Sequence, residues 1–503
     1  MALGAERYSA SRAAVLPRES LESAITKASV SLDAMPLLRD LHLPVDYSAR
    51  LIAESVLRRL FTEDEKNAAG CAVESECLDD GRRWRISIND GLRWSDGRRL
   101  KAEDVLHGLE HAINGRSNGA SLFLSSETDG GESPLQVLSP TTVEYRFDRP
   151  IAFAPALLSL PAFAPRRADG DRNGQELSLG SHVVAQWTAD VITLRHHDFT
   201  SAEDASPGEL RYLHVPTAAD AVARYEAGEL DATSPTGFGV DQVRALDGRP
   251  DAVSTPIDIF GTLDFGRHAP RTWLASAGAR RALSGLLQRS ALESCTHGLA
   301  LPWHWPGPDA LGPGAAETAP EDQDLELLRR GIESPLDIAY AAFDPNAEIA
   351  VEVAAQIGLA LGMQVTTSRL SFEEYVRASA SREYCMLYSL TVPAFCHPAG
   401  YLSDWRSTGR AARRSGIADP VLDARLDVAE SCLDSGTAEG HWEQVVTRWC
   451  ELMPKIPLVR VRAWFLRGER VANLYVPPSG LVLFGRTASE ARTDRISGPS
   501  TAF

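Results

Sequence analysis

The stretch RRWRISINDGLRWSDGRRLKAEDVLHGLEHAI occupies residues 82–113 and contains the clearest run of local structural signals in the chain. Its first seven residues alternate bulky and polar side chains, which predicts a strand over 82–88. Two Asp-Gly pairs around Trp94 then favour turns. An acidic pair at 103–104 precedes an apolar repeat, and acidic side chains are favoured in the first turn of a helix. The stretch therefore predicts a strand, a tight turn and a helix over 101–114.

The flanking regions extend this mixture of strands and helices. Residues 29–60 predict a loop followed by an amphipathic helix, and residues 277–294 predict one long amphipathic helix. From 335 to 380 the patterns predict a strand, a helix, a second strand and a second helix. That alternation favours a parallel sheet with right-handed crossovers and a cleft at the strand ends. The predicted fold class is α/β.

The composition excludes several classes of protein. The 503 residues include 51 Lys and Arg against 68 Asp and Glu, a formal net charge of −17. This acidic excess repels nucleic-acid phosphates and no basic stripe offsets it, so nucleic acid is excluded as a partner. No run reaches the ~18–20 apolar residues of a membrane span, so none is expected. At about 150 residues per domain, the length predicts about three structural units.

The N-terminal 30 residues contain charged side chains at intervals and no apolar core of a secretory signal. No cysteine occurs in the first 70 residues to take a lipid anchor. The sequence as written therefore predicts a cytoplasmic protein, or an extracytoplasmic one if its start is misassigned. The seven cysteines form no C-x-x-C pair, which is typical of free thiols in a reducing compartment. After export, Cys71 and Cys77 could pair.

Motifs of the common enzyme classes are absent. The chain has no phosphate-binding loop ending in Lys-Ser/Thr, no G-x-S-x-G elbow and no H-E-x-x-H pair. Adjacent His196 and His197 would point to opposite faces of a strand, which does not suit one metal ion. His107 and His111 have helical spacing but no third ligand. Structural or solvated roles are favoured for all four, and we expect no metal and no cofactor.

The stretch 82–113 resembles the signature of the family 5 extracellular solute-binding proteins, the dipeptide- and oligopeptide-binding components of ABC importers. The shared elements are W-S-D-G at 94–97 and A-E-D-V at 102–105. Weaker matches continue in the same order through nearly the whole chain from about Ser29 onward. The resemblance implies a periplasmic-binding-protein-like fold of type II, in which two α/β lobes close over a ligand and the first lobe contains an extra subdomain.

The resemblance also implies domain boundaries. The expected divisions are the first part of lobe I (1–60), the extra subdomain of lobe I (61–177), the remainder of lobe I (178–255), lobe II (256–465) and a C-terminal return to lobe I (466–503).

One segment departs from the family where peptides bind. Peptide binders of the family tend to carry W-x-A-D-Y-x-D-P, whose first aspartate holds the peptide's ammonium group. The matching segment here is TVPAFCHP at 391–398, with Ala394 at that aspartate, Phe395 at the aromatic position and His397 at the second aspartate. A buried ammonium without a carboxylate costs several kcal/mol. The resemblance therefore makes free-amine peptides poor candidates and implies an acylated, neutral or anionic ligand.

A second departure replaces the family's G-T-G-P-Y-like turn with SLGSHVV at 178–184. The tryptophans of PWHWPG, at 303 and 305, either stack on a ligand or cap a core. These segments give the candidate ligand-binding residues Ser181, Trp303, Trp305, Ala394, Phe395 and His397, and the nearby Tyr388 and Trp405 are added to them.

Three functions stay open at this stage. The leading hypothesis is a monomeric solute-binding protein that encloses a small peptide-like ligand or modified amino acid and delivers it to an ABC permease if exported. The main alternative is an enzyme on this fold that acts on a small metabolite, with His397 as acid or base because its reference pKa is near neutrality. A third is a cytosolic carrier or sensor that docks a partner through the acidic segment 314–325, which overlaps the Pro/Gly-rich linker at 306–323.

Overall fold

The computed structural model describes residues 26–485 except 45, 63–69, 115–122, 124–133, 170–176, 201–203, 306, 308–321, 331 and 333. The strands are β1 (Lys27–Leu32), β2 (Ala72–Leu78), β3 (Arg83–Ile88), β4 (Leu135–Ser139), β5 (Thr142–Arg146), β6 (His182–Trp187), β7 (Val191–His196), β8 (Glu209–His214), β9 (Ala252–Phe265), β10 (Ala300–Pro302), β11 (Leu336–Ala341), β12 (Val365–Leu370), β13 (Met386–Thr391), β14 (Ile456–Leu466), β15 (Leu474–Tyr475) and β16 (Leu483–Phe484).

The α-helices within the described residues are α1 (Tyr47–Val56), α2 (Ala102–Asn114), α3 (Ala154–Leu157), α4 (Ala218–Glu226), α5 (Val240–Leu246), α6 (Arg271–Ala275), α7 (Ala277–Leu286), α8 (Arg289–Cys295), α9 (Asp322–Arg329), α10 (Asn346–Leu361), α11 (Phe372–Ser381), α12 (Pro398–Leu402), α13 (Arg410–Ser415), α14 (Pro420–Ser431) and α15 (Ser435–Leu452).

Four strands form the N-terminal sheet in the order β1-β8-β7-β6. β1 runs parallel to β8, and the other two pairs are antiparallel. Every residue of β1 after Lys27 is buried, because β8 pairs with it on one side and Ala232 bridges to Val30 on the other. Residues 29–32, predicted as the start of a loop, therefore belong to a strand, whereas the helix predicted after the loop is confirmed as α1.

Four antiparallel strands form the inserted sheet in the order β2-β3-β5-β4. Burial alternates along β3, which confirms the strand predicted at 82–88. The indole Nε1 of Trp94 donates to the carboxylate of Asp104 over 3.0 Å. This bond ties the turn to the first turn of α2, so the sequence motif that suggested the family has a structural role.

Cys71 and Cys77 are both free thiols beside the inserted sheet. Cys71 is buried, and its Sγ lies 3.4 Å from the backbone oxygen of Arg58. Cys77 lies on β2 opposite Trp84 of β3. The structure therefore contains no disulfide between these two cysteines.

Six strands form the central sheet in the order β10-β14-β9-β13-β11-β12. β11 pairs in parallel with β12 on one side and with β13 on the other. This arrangement confirms the parallel β-α-β-α unit predicted over 335–380. The long strands β9 and β14 pair with each other in antiparallel orientation along most of their length.

β9 and β14 connect the two lobes, because each strand contributes to two hydrophobic cores. Ile257 of β9 and Phe465 of β14 pack with the N-terminal sheet in the core of lobe I. Leu263 of β9 and Ile456 of β14 pack in the core of lobe II, with the helices that flank the central sheet. The structure thus has the two-lobed α/β architecture that the resemblance implied.

The chain returns to lobe I after β14. Val471, Leu474 and Leu483 are buried in the same core as β1 and α1. β15 and β16 pair with each other in this region. The domain boundaries given above remain predictions.

The single helix predicted over 277–294 is wrong, because the structure has two helices there, α7 and α8. Leu287 and Gln288 between them are extended. The backbone N–H of Gln288 donates to the side-chain oxygen of Gln356 over 2.7 Å, and the Gln356 amide donates back to the Gln288 carbonyl over 3.2 Å. A distant side chain thus takes the hydrogen bonds that a continuous helix would form.

Most of the linker predicted at 306–323 and most of the acidic segment 314–325 lie outside the described residues. In the part of the chain that is described, no helix combines the length and the apolar composition needed to cross a membrane.

Candidate functional site

A cleft of about 1160 Å³ lies between the lobes. Lobe I contributes His42, Tyr47 and Arg50 from the region around α1, and the segment after the inserted sheet contributes Arg149 and residues 160–162. Lobe II contributes two continuous segments, 389–394 and 403–406, together with residues of α11 and α13. We call this space the interlobe cleft.

The topology of the central sheet explains why lobe II residues reach this cleft. β11 lies between β12 and β13, so successive crossovers go to opposite sides of it, and ligands of open α/β sheets bind at the carboxyl ends of strands beside such a switch point. The carboxyl end of β13 leads directly into residues 391–394 of the cleft wall.

The floor of the cleft is attached to the strands that connect the lobes. The hydroxyl of Tyr401 donates to the carboxylate of Asp258 on β9 over 2.8 Å. The hydroxyl of Tyr47 donates to the backbone oxygen of Gly480 over 2.7 Å. Both tyrosines line the cleft, so its floor contains groups from both lobes and from the C-terminal return.

Basic side chains outnumber acidic ones in the lining of the cleft, although the chain as a whole is acidic. Its acidic lining residues are Asp46, Asp264 and Asp404. Its basic lining residues are Arg50, Arg59, Arg149, Arg280, Arg382, Arg406, Arg410, Arg413, Arg414 and Lys455. Arg59, Arg149 and Arg406 are paired with Glu54, Glu430 and Asp427 respectively, so part of this positive charge is already neutralised.

Each of the three cleft carboxylates already has a structural partner. Asp46 caps α1 and accepts the backbone N–H of Ala49 over 2.8 Å. Asp264 forms an ion pair with Lys455 at 2.8 Å. Asp404 accepts the backbone N–H of Arg410 over 2.7 Å.

Two of the predicted ligand-binding residues line the interlobe cleft, namely Ala394 and Trp405. Ala394 is exposed on the wall that continues from β13. Trp405 packs edge-to-face on Trp449, with ring centroids 5.8 Å apart, and Trp449 also lines the cleft. Both tryptophans are buried and belong to the core that also contains the inserted sheet.

Phe395 and His397 lie behind this wall in an aromatic cluster. The His397 ring stacks on Phe153 at 4.8 Å, and Phe395 stacks on the same ring at 5.9 Å. His397 Nδ1 accepts the backbone N–H of Ala399 over 3.1 Å and so caps α12. Burial lowers the pKa of His397 to about 4. These contacts give the histidine a packing and capping role and leave its ring neutral near pH 7.

The other four predicted residues contact other side chains of the protein. Tyr388 is buried in the core of lobe II, and Trp305 is buried beside Tyr401 with ring centroids 6.5 Å apart. Trp303 lies between Phe260 and the Arg460 guanidinium, which is 5.1 Å from its ring. The Ser181 hydroxyl bonds to the neighbouring His182 ring at 2.8 Å. Their assignment as ligand contacts stays a prediction, and this geometry gives them other partners.

The sequence analysis missed the arginines of the cleft wall. Four of them occur in RSTGRAARR at 406–414, directly after Trp405. This local density of arginine in an acidic chain was the available signal. The cleft arginines of lobe I gave no such signal, because they are far from residues 406–414 in the sequence.

A family model described as bacterial extracellular solute-binding proteins, family 5 Middle, matches residues 68–413. The chain belongs to this family. The probable deoxycholate-binding periplasmic protein YgiS of Escherichia coli is 21% identical over 420 residues, which cover 76% of this chain and 78% of that protein. The periplasmic murein peptide-binding protein MppA of Escherichia coli is 20% identical, with 75% of this chain and 77% of that protein covered.

The fold agrees with the family. The solved structure of Escherichia coli MppA superposes with a TM-score of 0.74 at 17% identity, covering 94% of this chain and 100% of that chain. The chain is thus a family 5 solute-binding protein of the kind that serves ABC transporters. The enzyme hypothesis built on His397 has no support from these relatives or from the geometry. The cytoplasmic location predicted from the sequence also lacks support, since both curated relatives are named as periplasmic.

Proposed function

We propose that this family 5 protein encloses one small peptide-like solute or modified metabolite in the interlobe cleft and presents it to an ABC permease. The observation that carries the proposal is the cleft of about 1160 Å³ with lining residues from both lobes. Ligand sites of about 300–1,000 Å³ bury most of a drug-sized molecule. A cleft of this size suits a ligand equivalent to a few amino-acid residues.

The connection between the lobes supports capture by closure. β9 and β14 are shared, as paired strands, between the hydrophobic cores of lobe I and lobe II, and a further core packs the inserted sheet against residues between 395 and 449. Their pairing is irregular around Arg460, where the register shifts. Hinge closure uses a few residues at such connections.

The relatives support an extracytoplasmic site of action. YgiS and MppA are both named as periplasmic, one as probably deoxycholate-binding and the other as murein peptide-binding. These names cover a peptide and a steroid carboxylate, so membership of the family does not restrict the ligand to peptides. We infer that the present chain acts outside the cytoplasm, as a monomer, on a ligand of comparable size.

Native mass spectrometry tests the proposal on the full chain. The intact mass is measured under native and then denaturing conditions, and any released small molecule is identified. A single bound molecule, unchanged after prolonged incubation, is the expected result. A bound molecule that converts to a new mass would instead favour an enzyme.

A matched pair of variants connects the ligand to the cleft. Trp405→Ala removes a cleft-lining ring and is expected to weaken retention of the co-purified ligand. Leu359→Ala alters a side chain that is 88% exposed on α10 and serves as the control. Equal retention by both variants would contradict binding in the interlobe cleft.

A further inference from the structure

We propose that His42 selects the solute at the lobe I wall of the interlobe cleft, where its Nδ1 atom accepts a hydrogen bond from a neutral donor of the ligand, an amide N–H or a hydroxyl. This inference deepens the proposed function and rests on it. It assigns a ligand contact to lobe I and specifies the chemistry of the group that the contact recognises.

The backbone around His42 is fixed by its neighbours. Leu41 is fully buried in the core of lobe I. The backbone N–H of His42 donates to the carboxylate of Asp40 over 3.1 Å, and that of Leu43 donates to the backbone oxygen of Asp40 over 3.2 Å. His42 itself lines the cleft and is 8% exposed. The imidazole therefore has a defined position in the cleft wall.

The tautomer of His42 follows from one contact. Its Nε2 atom lies 3.3 Å from the backbone oxygen of Pro165. A carbonyl oxygen can only accept, so Nε2 carries the hydrogen, and the other nitrogen of a neutral imidazole is then an acceptor. The ring of His111 stands edge-on to the His42 ring, with centroids 5.9 Å apart and planes at 83°. These contacts orient the ring and make Nδ1 the acceptor.

The ring is neutral near pH 7. Burial lowers the pKa of His42 to about 4, and this effect outweighs the Pro165 hydrogen bond and the charge of Asp40, which both raise the pKa. The charges of Arg166 and His111 lower the pKa further. Nδ1 therefore keeps its lone pair at physiological pH.

Nδ1 is also available to a ligand. No hydrogen bond joins this atom to any of the described residues. A buried acceptor without a donor has lost the hydrogen bonds that water provides and has gained none in return. His42 is more than nine-tenths buried and lines the cleft, so a molecule bound in the cleft is the partner that can restore this bond.

The surroundings of His42 disfavour an ammonium group as the donor. Two carboxylates of the same segment, Asp40 and Asp46, are each engaged twice by the protein. Asp40 accepts from the backbone N–H of His42 over 3.1 Å and from His111 Nε2 over 2.7 Å. Asp46 accepts from two backbone N–H groups, each over 2.8 Å. A neutral imidazole does not compensate a buried positive charge, so a neutral donor is the better match.

The opposite wall narrows the class of ligand. Lobe II contributes basic side chains to the cleft, among them Arg382, Arg414 and Lys455, and such side chains are hydrogen-bond donors. A solute between the walls therefore meets an acceptor on lobe I and donors on lobe II. An amide or a hydroxy acid has a donor and an acceptor next to each other. Acylated amino acids, acylated peptides and hydroxy acids match this arrangement.

Matched probes test the donor on the full chain, freed of co-purified ligand by unfolding and refolding. N-acetyl-Ala-Ala is compared with its ester counterpart, O-acetyl-lactyl-lactate, which has the same charge and nearly the same shape but no N–H. Citrate is compared with tricarballylate, which lacks only the hydroxyl. The cationic dipeptide Ala-Lys offers an ammonium group instead.

Titration calorimetry is expected to show that the parent binds a donor-bearing probe about two- to tenfold more tightly than its counterpart, because one neutral hydrogen bond has a modest net contribution. The pair that shows the difference distinguishes an amide from a hydroxyl as the preferred donor.

Two variants identify the partner of that donor. His42→Phe keeps an aromatic ring and removes the acceptor. His42→Asn has a side-chain oxygen at the bonded position of Nδ1, so an acceptor remains. Both variants lack Nε2 and its bond to Pro165, so the loss of that bond affects them equally. The preference for the donor-bearing probe should disappear in His42→Phe and persist in His42→Asn.

His268→Phe is the control for the exchange of rings. Its side chain is 60% exposed and is not among the residues that line the cleft. This variant should keep the preference of the parent.

The outcomes separate this inference from the proposed function. Equal affinities within both pairs of probes, or tightest binding of Ala-Lys, would overturn the neutral donor while supporting a solute-binding cleft. A preference that survives in His42→Phe, or that is lost equally in both His42 variants, would overturn the role of Nδ1. The comparison of probes in the parent needs no substitution, so it tests the inference even where His42→Phe fails to fold.

If no probe binds, native mass spectrometry of the variants with their co-purified molecule replaces the titrations. Lower retention by His42→Phe than by His42→Asn would support the inference, and equal retention would overturn it. If no probe binds and no small molecule co-purifies, the proposed function fails and this inference fails with it.

Discussion

The guanidinium of Arg460 lies 2.7 Å from the carboxylate of Asp258, and both side chains are buried where β9 and β14 pass from one lobe to the other. Tyr401 donates to the same carboxylate from the cleft side. The strands that connect the lobes thus contain a buried ion pair at the point where they pass from one lobe to the other. Through Tyr401, this pair contacts the floor of the ligand cleft.

Arg460→Met is expected to reduce the free energy of unfolding by about 3–5 kcal/mol, because it leaves Asp258 buried without its cation. Urea unfolding followed by circular dichroism measures the change. Arg377→Ala breaks an exposed ion pair and should stay within about 0.5 kcal/mol of the parent. A loss as small as that of the control would show that the buried pair is not needed for stability.

His397 is expected to make the protein less stable in mild acid. Its pKa in the folded chain is lowered from 6.5 to about 4 by burial, so the unfolded chain takes up a proton first as the pH falls. Stability is therefore lost from about pH 6.5 downward and levels off near pH 4. Burial also lowers the pKa of His42 and of His182.

His397→Asn isolates the contribution of His397 to this loss of stability. Asparagine can also cap a helix, but it does not titrate. Between pH 7.5 and 4.5 the variant is expected to lose about 2 kcal/mol less unfolding free energy than the parent. His268→Asn, at a side chain that is 60% exposed, should follow the parent profile. Identical profiles for all three proteins would contradict a neutral buried His397.

Glu430 is expected to hold the segment after the inserted sheet against lobe II. Its carboxylate accepts from Arg149 over 2.9 Å and from Arg406 over 2.8 Å, and its backbone oxygen accepts the N–H of Ala152 over 2.8 Å. Glu430→Gln leaves two guanidinium groups without their shared anion. Hydrogen exchange at residues 149–153 should accelerate, because local opening becomes easier.

Asp427→Asn is the control for this experiment. Asp427 lies on the same helix and pairs with the same Arg406 over 2.6 Å, but its side chain is 65% exposed. Exchange at 149–153 should be unchanged in this variant. Equal acceleration by both substitutions would assign the effect to Arg406 and not to the buried carboxylate.

Ala394→Asp is expected to change the preferred charge of the ligand. The residue is exposed on the cleft wall, so a carboxylate there adds negative charge to a cleft whose lining contains several arginines. Titration calorimetry should show weaker binding of citrate and stronger binding of Ala-Lys. Ala394→Asn has nearly the same shape without the charge, and a matching response from it would rule out an electrostatic cause.

The elements predicted correctly are those decided by local sequence. β3 and α2 have regular apolar spacing, and their burial follows that spacing, while the parallel pairing of β11 and β12 matches the predicted β-α-β order. β1 was missed because its burial depends on partners near residues 210 and 232. The break between α7 and α8 depends on Gln356, which is 68 residues away from Gln288.

The cleft was only partly predictable for the same reason. Ala394 came from the segment 391–398 of the family resemblance, and Trp405 was named only as a nearby aromatic residue. Arg50 and Arg413 meet the same cleft from opposite lobes, and nothing in a single sequence indicates that such distant residues converge. β9, which makes that convergence possible, went unpredicted.

The C-terminal return has a consequence for the order of folding during synthesis. The core of lobe I needs Val471, Leu474 and Leu483 as well as β1 and α1. At roughly 5–20 residues per second, the ribosome finishes these residues on the order of tens of seconds after β1 has emerged. The lobe that is translated first is therefore completed last, and the apolar faces of β1 and α1 must be shielded during that interval.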